Sequence, residues 1–192
     1  MYDTVNFRLI AADVSGVSFI EETPCHLTEI GTHDYNGNIV VTGQLNGLKV
    51  SVNRWQVKVN GGSLCKWYFG NNLQTMSRGD TQRAVERLSD ELHLPFNLAA
   101  VTRLDVGGNM ITQHPSEIYF NHLGVLSWSK RLQQPSGLYY CKRDEQLCFY
   151  DKVKEQRSRR EAIPEPYKGK NVLRYEHRYT GHLTRVLKVP TK

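Results

Sequence analysis

The alternation after Asn46-Gly47 constrains this fold more than any other stretch: Leu48, Val50, Val52, Val57 and Val59 interleave with Lys49, Ser51, Asn53, Gln56 and Lys58. A period of two sends successive side chains to opposite faces of a strand, and Asn-Gly between apolar runs is a strong hairpin signal. The pattern predicts strands over Asn38–Leu45 and 48–59, in a sheet with one face covered and one wet. Further β-branched and aromatic runs predict strands over 4–10 and Leu64–Phe69.

Something must cover that face. Ala84, Val85, Leu88 and Leu92 recur at helical spacing, which predicts a helix over 81–92 with Asp80 as its cap. Strand signals return over 99–106, and a short helix is expected over 115–123. A hairpin pairs 137–142 with 146–150 around Asp144. Residues 152–160 are helix-prone and basic, Pro164-Glu165-Pro166 breaks them off, and Asn171–Tyr179 reads as a strand. The class is α+β, a largely antiparallel sheet with helices packed on one face; a β-barrel with peripheral helices is the alternative. With no compositional break in 192 residues, the expectation is one domain over 1–192.

Lysines and arginines number 25 against 19 acidic residues, a net charge of +6 that favours a polyanionic partner. The four cysteines show no Cys-x-x-Cys spacing, so reduced thiols are expected rather than a zinc or redox site. The seven histidines include no His-x-His pair, although His177 and His182 lie close enough to the acidic candidates to serve as ligands. No run approaches the ~20 apolar residues of a membrane span, and the start lacks a signal-peptide pattern, so a cytoplasmic protein with no membrane partner is expected.

Three segments gather chemistry. Phe149-Tyr150-Asp151-Lys152 sets a tyrosine at a strand end beside Lys152 or Lys154, and a nearby cation favours the ionised phenol that could attack phosphate. Asp105 lies inside an apolar strand, where a carboxylate needs a partner such as Arg103 or a metal ion. Glu176 sits between Arg174 and Arg178 at period-two spacing, either in a charge ladder or in a metal site. Glu155 joins them only if the backbone passes from strand to helix after Tyr150. Oxygen ligands of this kind suit magnesium or manganese. Lys152, Lys154, Arg157, Arg159 and Arg160 could follow a phosphate backbone, with Arg83, Arg87, Lys130 and Arg131 as outlying contacts, and Trp55, Trp67 and Trp128 could stack on unpaired bases.

Met1-Tyr2-Asp3 leading to Arg8-Leu9, Thr102-Arg103-Leu104-Asp105, Phe149-Tyr150-Asp151-Lys152 with Glu155, and Arg174-Tyr175-Glu176-His177-Arg178 together resemble the filamentous-phage gene II and gene X type replication initiators, rolling-circle endonucleases of phages and plasmids. The resemblance implies an HUH-like endonuclease domain that nicks and rejoins origin DNA through a covalent 5′-phosphotyrosine. It gives Tyr150 the role of nucleophile and Lys152 that of its adjacent lysine. It places Asp105, Glu155 and Glu176 at acidic positions holding a divalent metal, Mg2+ or Mn2+, and leaves Arg103, Lys154, Arg157, Arg159, Arg160, Arg174 and Arg178 for DNA. Single-stranded or origin DNA is the implied partner, with host helicase and polymerase beside it. The family's frequent paired-histidine motif is missing, and the chain stops soon after the last motif, where relatives continue, so a domain cut short at its C-terminal end is expected. The competing expectations are a conjugative or mobilisation relaxase and a noncatalytic DNA-binding module.

Overall fold

The structure is a computed structural model describing residues 2–74 and 76–188; Met1, part of the first resemblance segment, lies outside the described residues. In chain order the elements are β1 (Tyr2–Ile10), α1 (Phe19–Glu22), β2 (Thr28–Tyr35), β3 (Asn38–Leu45), β4 (Leu48–Asn53), β5 (Gln56–Gly61), α2 (Leu64–Phe69), α3 (Arg78–Leu92), β6 (Ala100–Thr112), α4 (Ser116–His122), β7 (Lys130–Gln134), β8 (Gly137–Cys141), β9 (Glu145–Asp151), α5 (Lys152–Ser158), β10 (Asn171–Tyr179) and α6 (Leu183–Leu187). The class is the expected α+β, with antiparallel strand pairing. The chain divides into two compact units, one made of Tyr2–Leu104 with 182–188, the other of Asp105–Gly181.

In the first unit the strands run in the order β2-β3-β4-β5-β1-β6. The Asn46-Gly47 turn joins β3 to β4 as expected, with Leu45 paired to Leu48. The inward residues of the alternation, Leu48, Val50, Val52, Val57 and Val59, pack with Leu9, Phe19, Leu64, Trp67, Ala84, Leu88 and Phe96 in one core. Trp67 is therefore a core residue, whereas Trp55 is exposed.

Three expectations change here. Residues 48–59 form two strands, because the Asn53 side chain accepts hydrogen bonds from the amides of Trp55 (2.9 Å) and Gln56 (3.0 Å) and turns the chain back. Leu64–Phe69 is helical: its aromatic content suggests a strand, but the Ser63 hydroxyl caps it by accepting from the amide of Lys66 (3.1 Å), and Gly70 ends it. The long helix begins earlier than expected. Ser77 is its cap, its hydroxyl accepting from the Asp80 amide (3.1 Å), and Asp80 sits three residues in, its carboxylate accepting from the Ser77 amide (2.9 Å) in a reciprocal capping box.

In the second unit the order is β6-β10-β9-β8-β7. Strand β6, with Asp105 inside it as expected, runs on through Gly107-Gly108 to Thr112. A side chain at Gly107 would meet the carbonyl of Tyr175 at 2.3 Å and Glu176 Cγ at 2.9 Å, so only glycine lets β10 come this close. Helix α4 lays Phe120 against Leu138, Tyr140 and Leu173 on one face of the sheet. The 137–141 and 145–151 strands form the expected hairpin, and α5 follows β9 without a loop.

Replacing Ser77 by alanine is expected to lower stability by about 1 kcal/mol in urea denaturation, the usual cost of losing an N-cap side chain. A silent Ser77→Ala beside a damaging Asp80→Ala would return the cap to Asp80.

Candidate active site

The site lies wholly within Asp105–Gly181. Strands β9 and β10 pair antiparallel with Tyr150 opposite Arg174, Cys148 opposite Glu176 and Gln146 opposite Arg178. Period-two geometry therefore puts all six side chains on one face. The centre of that face is buried: Glu176 and Arg174, with Asp105 of β6, are each only 2% exposed.

A buried carboxylate is tolerable only when its charge and lone pairs are met. Glu176 meets both conditions. Its Oε1 accepts the Tyr150 hydroxyl and the Arg174 Nε, each at 2.5 Å, and its Oε2 accepts Arg178 Nε at 2.9 Å and Nη2 at 2.7 Å. The outer donors are held in turn, Arg174 Nη1 by Asn109 Oδ1 at 3.1 Å and Arg178 Nη1 by Gln146 Oε1 at 3.2 Å. Asp105 stands 4.0 Å from Arg178 Nε.

Burial pushes the Glu176 pKa up, but Arg174 and Arg178 outweigh it and lower it to about 2. The opposite happens to Tyr150, whose phenol is raised well above its ordinary value by burial and by the charge of Glu176. The phenol is neutral at physiological pH, and its proton already points at a carboxylate. Cys148, between them, is pushed up to about 12 by burial, which keeps it a thiol. All four cysteines are free of disulfides.

Lys152 and Glu155 are brought together by the strand-to-helix change that the candidate site required. Asp151 caps α5 by accepting from the Lys154 amide at 2.9 Å. Lys152, fully buried, donates to Glu155 Oε2 at 2.7 Å and lies 5.9 Å from the centre of the Tyr150 ring. Glu155 also binds Arg159 Nε at 2.8 Å. Lys154 pairs with Glu117 across from α4.

Beside this cluster opens a cavity of about 470 Å³ lined by Tyr150, Tyr139, Lys154, Glu155, Arg159 and Arg178, with Ser136 and Ser158 at its wall. It is within the size range of small-ligand pockets, roughly 300–1,000 Å³, and its lining suits an anion carried on an aromatic or sugar body. Lys152 is absent from this lining and sits behind the tyrosine, so it orients Glu155 and the ring from within. Arg157 and Arg160 are exposed on and after α5. Arg103 belongs to the other unit, on the first part of β6. His177 is engaged elsewhere, donating from Nε2 to Glu145 at 2.7 Å and stacking on Tyr179 at 4.2 Å. Trp128 is 95% exposed on the loop before β7.

Glu176 and Glu155 do not fit a divalent ion as arranged. Both oxygens of Glu176 are taken by arginine and phenol donors, both oxygens of Glu155 by Lys152 and Arg159, and an entering cation would meet the charges of Arg174 and Arg178. Among the described residues no group of three or more His, Cys, Asp or Glu is placed to hold a metal ion.

Tyr139, Asn109 and Gln146 are site residues that motif reasoning missed. Parity could have found Tyr139 and Gln146, since antiparallel pairing of β8 and β9 puts Gly137 opposite Tyr150 and Tyr139 opposite Cys148, and Gln146 shares the parity of Tyr150.

Because the folded pKa of Glu176 lies below the ordinary 4.5, its ionised form stabilises the fold fully above about pH 4.5, and the contribution fades as pH falls towards 2. The shift corresponds to on the order of 3 kcal/mol. Urea denaturation of the wild type and Glu176→Gln across this range is expected to show a stability gap that is widest near neutrality and narrows steadily below pH 4.5. A gap that stays constant would mean that the charge of Glu176 contributes nothing.

Among the described residues no helix is long and apolar enough to cross a membrane. No curated protein matches the chain. The model of one family, described as the N-terminal region of the replication-associated gene II protein, matches residues 1–191. A match of that extent, on a fold that gathers the Tyr150, Glu155 and Glu176 segments around one cavity, means that the chain belongs to the phage family of replication-associated gene II proteins, in its N-terminal region.

Proposed function

We propose that the protein starts rolling-circle replication by nicking single-stranded origin DNA, with Tyr150 as the nucleophile and a covalent 5′-phosphotyrosine as the intermediate. One observation carries this reading: the Tyr150 side chain lines a cavity rimmed by Lys154, Arg159 and Arg178 while its hydroxyl donates to Glu176 at 2.5 Å. Nucleophile, proton acceptor and phosphate-neutralising cations thus meet at one place.

In the reaction the Tyr150 oxygen forms a bond to phosphorus as the bond from phosphorus to the 3′-oxygen breaks. Glu176 takes the phenol proton, and the 3′-oxygen leaves as a hydroxyl after protonation from water. The reverse sequence rejoins the strand. With the phenol raised by burial and Glu176 at about 2, the resting pair does not transfer the proton. Substrate entry changes that balance. Arg178 both lines the cavity and holds Glu176, so a phosphate that draws its guanidinium away leaves the carboxylate more basic as the nucleophile is needed. The chemistry runs through these side chains, with no step assigned to a metal at the carboxylates. The freed 3′-hydroxyl then primes a host polymerase behind a host helicase, in the cytoplasm.

The burial of Tyr150 favours a second reading, a DNA-binding module in which the tyrosine only completes the Glu176 cluster. Incubation with origin oligonucleotides separates the two. Tyr150→Phe is expected to abolish the covalent adduct while leaving oligonucleotide affinity within about twofold, since only a hydroxyl is removed. An adduct that survives this substitution, or a wild type that binds and never cleaves, sinks the nucleophile assignment.

Binding draws on exposed cations at the end of α5 as well as on those of the cavity. Arg157 and Arg160 are exposed, and each single-strand phosphate contact contributes about 0.7 to the slope of log affinity against log salt. Arg157→Gln with Arg160→Gln is expected to flatten that slope by about 1. An unchanged slope would remove this end of α5 from the DNA-binding surface.

A further inference from the structure

Two adjacent tyrosines on β8 have opposite fates. Tyr140 faces the apolar side, where its ring meets Phe149 edge-on and its hydroxyl donates to the carbonyl of Gly124 at 2.5 Å. It is a packing residue with a satisfied polar end. Tyr139 faces the other way, half-buried on the wall of the cavity, and its hydroxyl makes no hydrogen bond among the described residues. A phenol at the edge of a core ordinarily finds a partner for its O–H. This one is aimed at open space.

The place of that hydroxyl follows from Gly137. A side chain there would begin 3.0 Å from Tyr150 Cβ, 3.5 Å from the Tyr139 hydroxyl and 2.6 Å from the carbonyl of Phe149. The position opposite Tyr150 thus carries no side chain, and the Tyr139 ring leans over the vacancy with its oxygen on the flank of Tyr150. Ser136, Ser158, Lys154, Arg159 and Arg178 share the same cavity. An anion entering there would meet these donors and cations, and on the function proposed above that anion is the phosphate attacked by Tyr150.

We infer that the Tyr139 hydroxyl donates a hydrogen bond to a non-bridging oxygen of the phosphate that Tyr150 attacks, which makes Tyr139 a second catalytic tyrosine acting as a donor. This rests on the function proposed above. The two phenols are told apart by what could take their protons. Tyr150 has Glu176 at 2.5 Å. The carboxylates sharing the cavity with Tyr139 are Glu155, whose oxygens are occupied by Lys152 and Arg159, and Asp151, which caps α5 through the Lys154 amide, and the Tyr139 hydroxyl is hydrogen-bonded to neither. With no acceptor ready for its proton, Tyr139 keeps it and offers it to the phosphate, whose non-bridging oxygens gain charge as the new bond forms.

The test is single-turnover adduct formation with a single-stranded origin oligonucleotide, using the full chain as wild type and as Tyr139→Phe. The variant keeps the ring and loses the donor. Adduct formation is expected to slow by about 10- to 100-fold, the usual loss for one hydrogen bond to developing charge, with affinity within about twofold. A second measurement reports the contact itself. Oligonucleotides with one phosphorothioate of defined configuration at the scissile position present sulfur, a poor acceptor, in place of each non-bridging oxygen in turn. The wild type should be slowed more by one configuration, and that preference should vanish in Tyr139→Phe. An unchanged rate, or the same preference in both proteins, overturns the inference while leaving Tyr150 as nucleophile. An adduct mapped to Tyr139 overturns it together with the assignment of Tyr150, and a wild type forming no adduct overturns it together with the proposed function.

Discussion

Burying Glu176 is the act on which the Asp105–Gly181 unit depends. A carboxylate at 2% exposure forces two arginines and a phenol to converge on it, and those three groups fix the facing strands in one register. Slipping β10 by one residue would turn Arg174, Glu176 and Arg178 to the other face and leave four polar groups unpaired. Gly107 belongs to the same constraint, because the strand bearing Glu176 can lie this close only against a residue with no side chain. Register, burial and the direction of the Tyr150 hydroxyl are one decision.

That decision also redistributes charge. Glu176 is consumed by Arg174 and Arg178, Glu155 by Lys152 and Arg159, and Glu117 by Lys154. Acidic side chains are thereby neutralised around the cavity, while Arg157 and Arg160 remain exposed on and after α5. An excess of six positive charges over the chain becomes, near this cavity, a surface where a phosphate chain meets few uncompensated carboxylates. The same pairing explains why a divalent ion does not suit the cluster, since the groups that could hold it are already answered by cations.

Sequence pattern reached the elements that have one wet face and one dry face. Strands β4 and β5, the 137–141 and 145–151 hairpin and β10 all alternate, and their positions were legible to within a few residues. Strands β2 and β7 were not, and each closes one end of a strand order. Exposed along most of its length, such an edge strand shows no alternation to read. Leu64–Phe69 misled for a different reason, since its helical state depends on a cap at Ser63 that a count of aromatic residues ignores.

The candidate site was legible as motifs and opaque as geometry. Tyr150, Glu155 and Glu176 were singled out by spacing and resemblance, and they do converge. Which of them face which could not be read until the pairing of β8, β9 and β10 was fixed. Lys152 illustrates the gap: adjacency in sequence suggests an ammonium beside the phenol oxygen, but the immediate start of α5 carries it behind the ring to Glu155 and gives the cavity wall to Lys154. Tyr139 illustrates the converse. Eleven positions before Tyr150, it lies in no motif, yet one hairpin brings it onto the same face, and the missing side chain at Gly137 lets its hydroxyl lean toward Tyr150. Sequence distance hides what antiparallel pairing restores, so in a site built on a sheet the parity of each strand locates functional side chains that linear motifs leave out.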